Sequence, residues 1–218
     1  MLEAVIYDMD GLIIDSEPLW REAEIAIFQS IGVPMTEEMC LQVKGIRIDE
    51  VIAYWYNIYQ WTEKTLKEVE DLIISKMISL IKEKSKLLDG VTESLKLFQK
   101  LGLKIALASS SSSKLIDTVL DTLGLHLYFE VIQSAENEEF GKPHPSVFIT
   151  TAQKLNVPPT NCLVLEDSLN GVIAALAAKM HVIAIPEKVD LNNDRFRVAH
   201  FTFNSLRKID ESVVKSIS

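Results

Sequence analysis

Five short apolar runs limit what this chain can fold into. Ala4 to Tyr7, Leu103 to Ala108, Val131 to Gln133, Leu163 to Leu165 and Val182 to Ile185 each end at polar or small residues. Runs of that length, with no alternation of polar and apolar positions, fit strands buried on both faces, as in a parallel sheet covered by helices. Between the later runs lie helical patterns, Leu115 to Leu123 and Val147 to Leu155, long enough to serve as crossovers between parallel strands. The expected fold class is α/β, with a three-layer, Rossmann-like parallel sheet as its core.

The first two runs are separated by residues 8–102, far more than one crossover helix requires. Within that interval Glu22 to Ile31, Asp49 to Tyr59 and Thr65 to Lys84 carry apolar residues at three- and four-residue spacing, interrupted by Gly32-Val33-Pro34 and by Gly45. Residues 17–83 therefore read as a helical-bundle domain inserted after the first strand, leaving 1–16 and 84–218 as the core. A net charge of -9 argues against a nucleic-acid partner, which demands a basic face. A small ligand is expected instead, and an anionic one would need a local positive site. Only Cys40 and Cys162 are present, too few for a disulfide framework, and no run is long and apolar enough to cross a membrane. With so few cysteines and no signal-type leader at its start, a cytoplasmic location is expected, and so is a monomer.

Four strand ends carry the residues with chemistry. The first run passes straight into Asp8-Met9-Asp10-Gly11, two carboxylates at the place where α/β sheets bind ligands. A turn cap would also explain them; a calcium loop would not, because its twelfth position, counted from Asp8, is Leu19. The second run is followed by Ser109-Ser110-Ser111-Ser112-Ser113, which fits either a phosphate cradle or a helix cap. Gly141-Lys142-Pro143-His144-Pro145 fences a lysine with backbone-restricting residues, although an exposed turn would read the same way. Glu166-Asp167-Ser168 ends the fourth run with two acids suited to a metal or to a helix N-terminus. Each motif alone has a plain structural reading. Together, and in order, they supply a nucleophile pair, hydroxyls, a cation and metal-binding acids, the parts of a phosphoryl-transfer site.

In these four motifs the chain resembles the haloacid dehalogenase superfamily, matching it at Asp8-Met9-Asp10-Gly11, Ser109, Lys142 and Glu166-Asp167. It is similar to the branch with a small helical cap between the first two motifs, which includes β-phosphoglucomutase and sugar-phosphate phosphatases. Asp15 to Trp20, Gly45 to Asp49 and Glu166 to Gly171 resemble bacterial 2-deoxyglucose-6-phosphate and hexitol-phosphate phosphatases. The resemblance implies a magnesium-dependent phosphatase of small phosphorylated metabolites, with Asp8 as nucleophile and Asp10 as acid and base. It implies that Ser109 and Lys142 hold the phosphoryl oxygens. Magnesium would be held by Asp8, the backbone carbonyl of Asp10 and Asp167, with Glu166 nearby. Gly11, Ser110 and Ser111 would contact substrate beside the matched positions, and Trp20, Gly45 and Arg47 would do so from the cap, Arg47 being the favoured specificity residue. Trp55 and Trp61 fit packing better than recognition. A phosphohexomutase, a metal-free dehalogenase, a receiver-like phospho-acceptor and a cap-mediated binding protein are the competing readings. A histidine matches the Trp20 position in the mutases, and an indole cannot shuttle protons.

Overall fold

The computed structural model describes Met1 through Ile217. Strands β1 (Ala4–Tyr7), β2 (Lys104–Ser109), β3 (Val131–Ser134), β4 (Cys162–Glu166), β5 (His181–Ala184) and β6 (Phe201–Thr202) form one sheet, ordered β3-β2-β1-β4-β5-β6, and every pairing is parallel. β1 coincides with its apolar run, and the limits of β2 to β5 differ from theirs by one residue at one or both ends. Ladder pairing sets them, and it reaches polar residues such as Ser134 and Glu166 that hydropathy leaves out.

Between β1 and the rest of the sheet the chain makes a helical excursion: α1 (Glu17–Ser30), α2 (Glu37–Gln42), α3 (Ile48–Tyr59) and α4 (Leu66–Lys84). The outgoing and returning segments pair, with an antiparallel bridge between Ile14 and Leu87 and a 2.9 Å bond from the Leu88 amide to the Ile13 carbonyl. Helix α4 starts where Thr65 and Glu68 form a capping box, and it carries Lys82 and Lys84 in its last turn, both favourable to the helix dipole. Phe28 of α1 packs edge-on against Trp61, which is buried, as is Trp55. These two indoles are core residues of the excursion.

Side-chain alternation along the strands divides the interior into two apolar clusters. Val5, Tyr7, Ile105, Leu107, Leu163 and Leu165 face α5 (Val91–Lys100) and α6 (Ser113–Leu123). Ala4, Ile6, Ala106, Ala108, Val164 and Val182 face α7 (Ser146–Leu155) and α8 (Leu169–Ala177). Two covered faces explain why the strand runs lack polar alternation. Helix α8 starts at Leu169 because the Ser168 hydroxyl caps it by accepting from the Gly171 amide. Helix α9 (Glu211–Ile217) closes the described chain. No helix among the described residues is long and apolar enough to cross a membrane.

β1 lies between β2 and β4, and the chain extends the sheet outward from it in both directions. At such a switch point the carboxyl ends of neighbouring strands splay apart and leave a crevice. Asp8, Ser109 and Glu166-Asp167 all sit at that edge.

Candidate active site

The strand ends bring the four sequence motifs into one pocket. Asp8, Asp10, Ser109, Ser110, Ser111, Lys142, Glu166 and Asp167 line its floor, and Glu17, Trp20, Arg21, Glu24, Cys40, Lys44 and Gly45 of the excursion line its roof. Lys142 enters from the loop between β3 and α7. Its ammonium donates to Asp8 Oδ1 and to Glu166 Oε1, each at 2.6 Å, and lies 4.8 Å from the centre of the Phe148 ring. Burial would lower its pKa; the two carboxylates outweigh that and raise it.

Asp10 is positioned by neutral donors. Trp20 Nε1 donates to its Oδ1 at 3.0 Å, and the Ser111 hydroxyl donates to its Oδ2 at 2.7 Å. The Ser109 hydroxyl also approaches Oδ2, at 3.4 Å, and accepts from the Ser111 amide. Ser109 thus organises the loop from beneath. Ser110 lines the pocket, and its buried hydroxyl has no hydrogen-bond partner among the described residues.

The acids fit a divalent cation. Asp8, Glu166 and Asp167 are buried and present oxygens within 4.8 Å of one another. If all three carboxylates were ionised they would exceed the charge of Lys142 by two, offset in part by the Lys44 ammonium beside Asp167, in a site that water barely reaches. Burial, opposed by Lys142 and reinforced by Glu166 and Asp10, pushes the Asp8 carboxyl up to about 8. Burial and then Glu166 likewise hold Asp167 well above the usual carboxylate range. Among the described residues, buried Asp167 Oδ2 has no hydrogen-bond partner; the Lys44 ammonium stands off at 3.6 Å. Glu166 differs from its neighbours. Lys142 occupies its Oε1, while the Ser168 amide and hydroxyl occupy its Oε2 at 2.8 and 3.0 Å. Asp8 and Asp167 are therefore the carboxylates with coordination capacity to spare, and Glu166 anchors Lys142.

Two glycines make room for these acids. Gly11 has φ +71°, and a Cβ there would collide with the Asp167 carboxylate. Gly171, on α8, would collide with Glu166 if it carried one. Gly11 was expected to touch substrate, but it lies outside the pocket lining and its role is close approach to Asp167. Gly45 does line the pocket.

Arg47 is the main departure from the sequence reading. It does not line the pocket. Its guanidinium donates to Asp49 at 2.6 and 2.9 Å and to the backbone carbonyls of Ala135 and Glu138 at 2.9 and 2.8 Å. It turns away from the cavity because the chain is extended at Arg47, just before α3, and because the acids and free carbonyls lie on that side. The roof cations are instead Lys44 and Arg21, which no motif singled out. Lys44 pairs with Glu187 at 3.1 Å, and Arg21 reaches Glu17 at 3.8 Å.

Glu17 and Glu24, on one face of α1, bring carboxylates to the roof. Burial, the largest influence on each, pushes each up to about 7. A Glu24 carboxyl near 7 in the fold and at 4.5 when unfolded favours folding fully at low pH. That favour is lost as pH rises from 4.5 through about 7. Glu24→Gln should therefore melt near the parent at pH 5 and be more stable at pH 8, by about 2 kcal/mol. Thermal melts at the two pH values check this; equal shifts at both would show that Glu24 does not titrate between them.

The fold and these strand ends define a class. A family model, haloacid dehalogenase-like hydrolase, matches residues 5–185. The chain belongs to that family and is a hydrolytic enzyme. Hexitol phosphatase B of Escherichia coli (strain K12) is 41% identical over 207 residues, covering 94% of this chain and 93% of the relative. A phosphorylated carbohydrates phosphatase of Thermotoga maritima is 33% identical over 180 residues, covering 81% and 82%. Among solved structures, a β-phosphoglucomutase from Clostridium difficile superposes with a TM-score of 0.86 at 25% identity, covering 100% of this chain and 97% of that one.

Proposed function

We propose that this protein is a magnesium-dependent phosphatase of phosphorylated carbohydrates, with the helical excursion of residues 17–83 as its substrate-reading cap. The observation that carries the reading is the convergence of Asp8, Asp10, Lys142, Ser110 and Asp167 on one pocket roofed by α1 and the segment before α3. The named activities of the Escherichia coli and Thermotoga maritima relatives support it.

Asp8 and Asp167 would hold magnesium, together with the Asp10 carbonyl; when bound, the ion screens the charge of the phosphoryl group and of the attacking carboxylate. An Asp8 oxygen forms a bond to phosphorus as the bond from phosphorus to the ester oxygen breaks. Asp10 gives that leaving oxygen a proton, then takes one from the water that attacks the phosphoryl group, releasing phosphate and restoring Asp8. Lys142 and the Ser109 hydroxyl bind the equatorial oxygens, where charge sits in the transition state, with the unpartnered Ser110 hydroxyl beside them. Beyond the phosphoryl group, Glu17 and Glu24 accept from sugar hydroxyls while Arg21 and Lys44 donate to them. That balance suits a hydroxyl-rich carbon chain better than a second anion.

The mutase reading has a structural neighbour in its favour, the Clostridium difficile enzyme. It shares the core, but here Trp20 donates to Asp10, so the acid/base group rests on an indole that cannot relay protons. Hydrolysis is the outcome this contact supports. Magnesium titration of phosphate release tests the proposal. Asp167→Ala should raise the half-saturating magnesium concentration roughly tenfold or more, and an unchanged value would return Glu166-Asp167 to a helix-cap role.

A further inference from the structure

We infer that Arg47 and Glu50 are positioning residues for Lys142, clasping the loop that carries it to the start of α3. This deepens the phosphatase reading and rests on it. The observations lie on both sides of the loop. Arg47 Nη1 donates to the carbonyls of Ala135 and Glu138, and Glu50 Oε1 accepts from the Gly141 amide at 3.0 Å. Glu50 also pairs with Arg47 Nη2 at 3.6 Å, so the two side chains brace each other. The fit is close, since a Cβ on Gly141 would stand 2.9 Å from Glu50 Oε1 and 3.3 Å from Arg47 Cβ. Residue 142 follows directly, and its ammonium is the single cation between Asp8 and Glu166.

The core side of the loop is held independently. The Ser134 hydroxyl donates to the Ser111 carbonyl at 2.6 Å, and Glu136 accepts from the Ser113 amide at 3.0 Å. Those bonds fix the start of the loop near the serine hydroxyls. The stretch from Glu138 to Gly141 is tied to α3 by Arg47 and Glu50. Because the pocket lies between the cap and the strand ends, a substrate enters by parting the two, and parting them withdraws both side chains from the loop. Lys142 is then set in final register only once the cap is seated, which couples charge placement at Asp8 to a closed, water-poor pocket. Arg47 thereby acts on the phosphoryl end that all substrates share and not on the variable end.

The test uses the full chain as Arg47→Ala, Arg47→Lys, Glu50→Ala and Glu50→Gln, with hydrolysis of p-nitrophenyl phosphate and a hexitol phosphate, and hydrogen exchange over residues 135–142. Arg47→Ala and Glu50→Ala should lower kcat on both substrates by the same factor, between ~10- and 100-fold, and should speed exchange at the Gly141 amide. Glu50→Gln should restore both, since an amide oxygen still accepts from Gly141, and should do so even where Glu50→Ala folds poorly. Arg47→Lys should recover only part, because a single ammonium with three donors cannot reproduce the fork that reaches two carbonyls, both Asp49 oxygens and Glu50. Unchanged exchange in the alanine variants would overturn the inference. So would a shifted substrate ranking with p-nitrophenyl phosphate turnover intact, which would place Arg47 on the substrate. A parent enzyme that releases no phosphate from any ester would instead defeat the phosphatase reading, while the exchange experiment would still decide the clasp.

Discussion

Asp8→Asn should abolish phosphate release, lowering turnover by at least ~10⁴-fold, while the protein folds as before. The amide is close in size to the carboxylate but is a poor nucleophile, and it removes one of the two carboxylates with coordination capacity to spare. Stability should not suffer. Asp8, Glu166 and Asp167 crowd together with Lys142 and Lys44 as their cations, and burial already disfavours the charged form of Asp8, so a neutral amide there adds no electrostatic strain. Lys142 keeps Glu166 as a partner at 2.6 Å. Single-turnover hydrolysis read beside a thermal melt checks both halves. A dead and unstable variant would mean that Asp8 is chiefly structural, and an active one would remove it from the chemistry.

Lys142→Met should damage both activity and fold. The ammonium is buried between two carboxylates, and breaking a buried pair by removing one member costs about 3 to 5 kcal/mol. For a chain of this length that lowers the melting temperature by roughly 10 °C. Magnesium should restore part of that loss, because a divalent cation bound to the native state compensates the stranded carboxylates. It should restore no turnover, because Lys142 is the proposed cation for the phosphoryl oxygens. Melts with and without magnesium, run beside hydrolysis, separate the two contributions. A fall in stability that magnesium leaves untouched would place the metal elsewhere.

These expectations rest on positions that hydropathy and motif order already reveal. Strands buried on both faces must be continuously apolar, so β1, β2 and β4 stand out, and with them the acids and hydroxyls that follow. The two-residue edge strand β6, Phe201–Thr202, leaves no such run. Helix α1 begins at Glu17, five residues before its apolar pattern does, for a physical reason. Glu17, Trp20 and Arg21 line the pocket there, and their polar or amphipathic side chains delay the apolar spacing until Glu22. Helix α2 is too short to show a period. In α5, by contrast, Val91, Leu95 and Phe98 do carry a readable stripe.

The roof of the site was the least legible part. Lys44 and Arg47 lie three residues apart in the turn before α3, and nothing in their spacing tells which one faces the cavity. The direction is decided by groups distant in sequence. Ala135 and Glu138 offer carbonyls to Arg47, while Asp167 and Glu187 offer carboxylates to Lys44. Gly171 is similar. It sits inside a readable motif, yet its purpose, space for the Glu166 carboxylate, appears only once α8 is packed against β4.

The central claim is that a phosphoryl group passes from substrate to Asp8 and then to water. It is tested most directly by acid-quenching the magnesium-loaded enzyme within one turnover of a hexitol phosphate and weighing its peptides, with phosphate and sugar products followed in parallel. The account predicts one phosphoryl group on the peptide containing Asp8, decaying as inorganic phosphate appears, and none in Asp8→Asn. Phosphate released with no phosphoryl group on that peptide, or an isomerised sugar phosphate accumulating ahead of inorganic phosphate, would contradict it.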